Sequence, residues 1–262
     1  MNLNSFTYLL RQWKAARLIA RGDRLQSDGH APAALDCYER ALQLAPGPVA
    51  FYKRGNALLM TGRPAEAIDS YTSALDLKGD YPDAFYNRGL ARLQLRQLTG
   101  ALADFDAALQ LKPDDAQALN NRGNVLLDLK QPEAALDSYD RALAIDPRYV
   151  DALHNRSIAA LALKRPADAA ASLAQIVALA PDYPYVQSKL LHAKMLACDW
   201  SDYDQFRAGV IADVRAGKPA AEPFALMAVA DTAADLAICA GRYASDLYPP
   251  SRAPIWHGER YS

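Results

Sequence analysis

Cysteine is scarce in this chain of 262 residues. Cys37, Cys198 and Cys239 are odd in number and scattered, which fits reduced thiols in a cytosol-like compartment better than a disulfide framework. The four histidines, His30, His154, His192 and His257, form no ligand cluster with them, so no metal site is expected. An excess of either charge is missing too: the net charge is −1 and the isoelectric point near 6.4. That balance predicts neither a nucleic-acid partner, nor an anionic membrane partner, nor an acidic disordered tail. No run approaches about 18 uninterrupted apolar residues, so no segment is expected to span a membrane. Residues 1–14, MNLNSFTYLLRQWK, are not a secretory signal, because FTYLL is too short and Arg11, Lys14 and Arg17 break up the stretch after it. A cytoplasmic location is the expectation. Also missing are a glycine-rich phosphate loop at a strand-to-helix junction, any convincing strand, and a serine or cysteine with a plausible base. The chain therefore reads as no enzyme and as needing no cofactor.

What is present is a period. Ala116 to Pro147, AQALNNRGNVLLDLKQPEAALDSYDRALAIDP, reads as two amphipathic helices joined by a turn. Leu119, Gly123 and Leu126 share one face of the first half, and Ala135, Tyr139 and Ala142 one face of the second. Small residues at Gly123 and Ala135 allow close approach of the backbones, with Tyr139 filling the space beside them. Pro132 suits a first helical turn, and Pro147 a stop. Such a hairpin cannot bury its apolar face alone.

Copies of it flank it. Glycine recurs as Gly22, Gly55, Gly89 and Gly123, and alanine as Ala34, Ala67, Ala101, Ala135 and Ala169. The bulky partner recurs as Tyr38, Tyr71, Phe105, Tyr139 and Leu173, and the terminating proline as Pro46, Pro113, Pro147 and Pro181. Gly79 stands in place of a proline, Ser157 of the glycine and Ile176 of the second alanine. This pattern resembles the tetratricopeptide repeat. The resemblance implies an all-α solenoid, a right-handed superhelix of five hairpins over residues 15–181. Residues 1–14 are expected to extend the first helix, with Phe6, Leu9, Leu10 and Trp13 covering the end of the stack.

Residues 182–248 read as a degenerate sixth repeat followed by capping helices. Tyr185–Ala197 is in phase with a first helix but has Leu191 at the glycine position; the next helix is capped by Ser201 or Asp202 and ends at Gly217. PFALMAVA and DTAADLAICAGRYASDLY read as two more, with Asp231 as the cap between them. Residues 249–262, PPSRAPIWHGERYS, read as a linker or extended arm. HAKMLACDW, PFALMAVADTAADLAICAGRYASDLYP and IWHGERYS are similar to the stretch joining repeats to catalytic lobes in bacterial O-linked N-acetylglucosamine transferase relatives, the Spindly-like group. That resemblance implies the substrate-recruiting arm of a protein O-glycosyltransferase, without its nucleotide-sugar lobes. The alternative is a free-standing adaptor or scaffold.

Candidate binding residues lie on the first helices, which in this family line the concave side. Gln117, Asn121, Asn124 and Asp128 form one stripe opposite the apolar face. Asn87, Asn121 and Asn155 occupy the same repeat position, one rung per repeat, with Asn56 and Asn124 in support. Asparagine is a poor helix former, so three at one position need a reason. An amide offers a donor and an acceptor, as a peptide group does, and could hold extended backbone without reading side chains. The transferase family has such a ladder for protein substrates; the plainer account is a solvated helix face. A neighbouring column, Arg21, Arg54, Arg88, Arg122 and Arg156, reads as structural, each guanidinium meeting an acid on an adjoining helix. Tyr52, Tyr86, Asn120 and His154 form a further column at the groove edge. Protein or peptide clients are the partners this implies.

Overall fold

The computed structural model describes residues 3–248, with side chains from residue 7 onward. Among them are fourteen helices and no strand. The chain divides into two units, residues 1–147 and 148–262.

The first unit is four helical hairpins. They are α1 (Leu3–Ser27) with α2 (Ala31–Leu44), α3 (Pro48–Met60) with α4 (Pro64–Leu77), α5 (Pro82–Gln94) with α6 (Leu98–Leu111), and α7 (Ala116–Asp128) with α8 (Pro132–Ile145). Proline opens α3, α4, α5 and α8, where its missing N–H costs nothing. Each hairpin closes on a glycine. A Cβ at Gly22, Gly55 or Gly123 would lie 2.5 Å from a ring carbon of Tyr38, Tyr71 or Tyr139, and at Gly89 2.9 Å from one of Phe105. These rings and their companions Ala34, Ala67, Ala101 and Ala135 are fully buried. The core is thus a seam running from hairpin to hairpin: Ala34, Tyr38, Ala57, Leu58, Ala67, Tyr71 and Ala91 form one continuous cluster.

Every first helix stops on a left-handed residue. Gly29 and Gly62 take that conformation without strain, but Arg96 and Lys130 hold φ of 58° and 62° at the same position. Hydrogen bonds from Gln97 N–H to Arg92 O and from Gln131 N–H to Leu126 O close the helix ends across these residues.

The N-terminal residues extend α1 back to Leu3. Leu9, Leu10 and Trp13 are exposed, Leu9 at 51 % and Trp13 at 54 %. The reason is length: α1 has 25 residues and α2 only 14, so the first turns of α1 run past their partner. The side chain of Phe6 lies outside those described.

The second unit opens with the hairpin of α9 (Val150–Ala162) and α10 (Pro166–Leu179). Here Ser157 faces the smaller Leu173, and both are buried. α11 (Val186–Leu196) continues the phase, and α12 (Tyr203–Arg215) comes next, but the hairpin is not repeated. Leu191 at the glycine position and Tyr203 at the alanine position forbid close approach. Instead the extended segment 218–222 lies along α11, with Ser188 N–H donating to Ala220 O and Glu222 N–H to Ser188 Oγ. Leu191, Val210, Val214, Ala221 and Leu226 form the local core with α13 (Pro223–Met227) and α14 (Ala233–Leu247). The cap of α14 is Thr232, not Asp231: Thr232 and Asp235 bond reciprocally as a capping box. Asp231 instead pairs with Arg207 and Arg215. Residues 249–262, expected as an extended arm, lie outside those described.

Candidate functional site

The polar face of the first helices is built from two interlocking rows. Asn87 of α5 donates through Nδ2 to Tyr52 Oη of α3 at 3.1 Å and to Asn56 Oδ1 at 3.0 Å. Asn121 of α7 repeats the bond one hairpin on, to Tyr86 Oη at 2.9 Å. Asparagine and tyrosine columns are therefore one device, each amide pinned by the tyrosine of the preceding first helix. Among the described residues no side chain donates to the Oδ1 atoms of Asn87 and Asn121, so each half-buried amide keeps its acceptor for another group. Asn155, the third rung by sequence, is a half-buried residue of the second unit.

Asn56 and Asn124 are explained from inside. Asn56 Oδ1 accepts from the buried Tyr71 hydroxyl at 2.7 Å, and Asn124 Oδ1 from Tyr139 at 2.8 Å. Asp23 does the same for Tyr38. Burial pushes all three phenols well above their ordinary range, so the hydroxyls stay protonated donors. Where the ring is Phe105 or Leu173, the corresponding residue is Leu90 or Ile158. A polar residue stands there only when a tyrosine needs one, and this correlation was readable in the sequence.

Asp128 is exposed and paired with Arg96 at 2.7 Å. Gln117 is exposed and lines a cleft of about 270 Å³ with Tyr52, Asp83, Tyr86, Asn87 and Lys112. At the rim Lys112 and Asp115 are 2.7 Å apart. Burial raises the Asp115 carboxyl, but Lys112 and the Ala118 N–H outweigh it and hold it below its ordinary range. Tyr81, beside Tyr52 at a ring separation of 4.9 Å, is pushed up to about 12 by burial. The cleft thus presents aromatic walls, amides, the Lys112–Asp115 ion pair and the carboxylate of Asp83.

Four arginines of the column, Arg54, Arg88, Arg122 and Arg156, are structural, as their partners show, whereas Arg21 is exposed. Arg88 grips buried Asp104 through Nε and Nη2, and Arg92 meets the same carboxylate at 2.7 Å. Arg122 joins Asp106 of α6 at 2.6 Å and Ser138 of α8 at 2.7 Å. Arg54 reaches Ser70 at 3.1 Å and Glu39 at 3.5 Å, and Arg156 reaches Ser172 at 2.8 Å. In the second unit His154 is packed beside Tyr183 and 3.0 Å from Lys189 Nζ. Burial, then the nearby ammonium, push it below its ordinary range.

Among the described residues no group of three or more His, Cys, Asp or Glu could hold a metal ion, and no helix is long and apolar enough to cross a membrane. None of the curated proteins matches this chain in sequence. Several solved structures share its fold. YrrB, described as a TPR protein with an unusual peptide-binding site, is 26% identical over 68% of this chain and 90% of its own, with a TM-score of 0.59. A tetratricopeptide repeat protein from Parabacteroides merdae is 18% identical over 90% of this chain and 88% of its own, with a TM-score of 0.65. PilF from Pseudomonas aeruginosa is 15% identical over 76% and 91%, with a TM-score of 0.64. One tetratricopeptide repeat family model matches residues 19–84 and 86–150, half of the chain, and a second such model matches residues 126–194. The chain belongs to the tetratricopeptide repeat family.

Proposed function

We propose that this chain is a protein–protein interaction module that holds extended polypeptide along the first-helix face. The observation that carries this is the row of pinned amides. Asn87 and Asn121 are fixed by tyrosines, so their carbonyls are ordered without cost at the moment of binding, and a backbone N–H is their natural donor. The cleft of about 270 Å³ beside Asn87 would take a client side chain between Tyr52 and Tyr86, with Gln117 in reach. Asn155 holds the equivalent repeat position in the second unit, and Asp128 adds an exposed carboxylate at the edge of the stripe. Asn56 and Asn124 act one step back, holding the rings under the face. That YrrB is described as having a peptide-binding site supports the reading.

The finer placement, as the recruiting arm of a protein O-glycosyltransferase, rests on the resemblance of residues 185–262 alone. Nucleotide-sugar lobes encoded in the same reading frame would support it, and an unrelated context would favour the adaptor reading.

A photo-crosslinking amino acid at Gln117, on the first-helix face, and at Glu133, exposed on α8, tests the groove. The probe is a labelled 12-residue peptide of Ser, Thr, Val and Pro, uncharged and unable to form a helix. Crosslinks from position 117 but not 133 are expected. Equal yields from the two would remove the assignment.

A further inference from the structure

We propose that the outer face of α1, with α2 beside it, is a second docking site, which takes an acidic amphipathic helix of another protein. Inside the array each first helix packs on the second helix of the hairpin before it. The residues that meet there are small and buried: Ala50 and Ala57 on α3, Ala84 and Ala91 on α5, Ala118 and Val125 on α7. One period earlier the same two positions are Arg17 and Arg24, both exposed. The position between them is the arginine column. Arg54 meets Glu39 at 3.5 Å and Arg122 meets Asp106 at 2.6 Å, each time a carboxylate on a helix seated across that face. Arg21 stands in the same register, and no carboxylate among the described residues reaches it.

The face is also a groove. A cavity of about 580 Å³ runs along it, with Trp13 and Leu44 contributing apolar surface and Arg17, Arg21, Arg24 and Arg40 the charge. Arg17 stacks over Trp13, 4.7 Å from the ring centre, so the aromatic and the cation form one wall. Of these arginines only Arg40 has an acid among the described residues, Asp36 at 3.6 Å. Asp23, the one acid on α1, is taken by Tyr38 and Lys53. A chain of net charge −1 thus concentrates uncompensated cations where its own architecture seats a helix. Arginines spaced four and three apart match carboxylates at i, i+4 and i+7 of a facing helix. A groove of helix width with a register that meets carboxylates inside the chain favours a protein helix over a lipid surface or a nucleic acid.

The test is fluorescence anisotropy with the full chain and a labelled 18-residue helical peptide. The peptide keeps the apolar pattern of α6 and carries Glu at i, i+4 and i+7; its twin carries Gln. The Glu peptide is expected to bind at least tenfold tighter than the Gln peptide, and more weakly as salt rises. Arg17→Ala with Arg24→Ala, which installs the small residues of the later repeats, should abolish the difference between the peptides. An Asn87→Ala and Asn121→Ala pair should leave it intact. Equal binding of the two peptides overturns the proposal, as does Glu-peptide binding untouched by the double arginine change. Tighter binding to phosphatidylglycerol vesicles or to polyuridine than to the Glu peptide would also overturn it. So would a wild type that binds neither peptide while the arginine variant dimerises in sedimentation, since the arginines would then only block stacking.

Discussion

Installing a Cβ at Gly123 tests how the hairpins close. The new atom would lie 2.5 Å from Tyr139 Cε1 and 2.7 Å from Cζ, well inside van der Waals contact. The ring cannot swing away, because it is fully buried and its hydroxyl is held by Asn124 at 2.8 Å. Overpacking of this kind costs about 1–3 kcal/mol. Better helix propensity than glycine returns roughly 0.5 kcal/mol for serine. Gly123→Ser should therefore lose about 0.5–2.5 kcal/mol. Tyr139→Leu opens space and orphans Asn124, for about 2–3 kcal/mol. The pair together recreates Ser157 facing Leu173 in the fifth repeat, where both are buried without conflict. The double variant should recover at least about 1 kcal/mol relative to the sum of the singles. Urea melts followed by circular dichroism, with hydrogen exchange of the α7 and α8 amides, read the effect locally. Costs that add within about 0.5 kcal/mol would refute the size-matching argument.

Asp104→Ala should cost about 3–5 kcal/mol in urea melts, since it leaves Arg88 and Arg92 facing a buried, vacated position; a loss below about 1 kcal/mol would contradict that. Lys130→Gly should raise stability by about 0.5–1 kcal/mol by relieving a left-handed residue, and an unchanged melt would show that the turn carries no strain. His154 is pushed below its ordinary value in the folded chain, so the unfolded chain takes up the proton first. Stability of the second unit should therefore fall as pH drops through about 6.5, and His154→Gln should flatten that slope in thermal melts at stepped pH.

Much of the fold was legible because packing writes itself into residue size. The recurrence of Gly22, Gly55, Gly89 and Gly123 is a steric rule, and the rings they accommodate recur with them. The breakdown after α11 was equally visible in Leu191. Less legible was anything set by length or by a competing partner. Nothing local in LLRQW says that α1 outruns α2 and leaves Trp13 exposed. Asp231 looked like a helix cap, but two arginines claim it and Thr232 takes the role. At the site, the asparagine row was readable from its period, whereas the bond between Asn121 and Tyr86 joins residues 35 apart that no helical spacing connects. Periodicity also put Asn56 and Asn124 in the stripe, without revealing the tyrosine hydroxyls beneath them.

The most direct test of the central claim is a paired measurement on Asn87→Ala, Asn121→Ala and Asn155→Ala combined. Affinity for the uncharged 12-residue peptide is titrated by anisotropy beside a thermal melt of the same preparation. Each lost amide acceptor is worth about 0.5–1.5 kcal/mol to the ligand. The triple variant should therefore bind at least tenfold more weakly, because about 1.4 kcal/mol already corresponds to that factor. The bonds lost from the fold, those of Asn87 to Tyr52 and Asn56 and of Asn121 to Tyr86 among them, should lower its melting point only modestly, so the protein remains folded at the assay temperature. Unchanged affinity, with the loss confined to the melt, would contradict the account and leave the row as a stitch between helices.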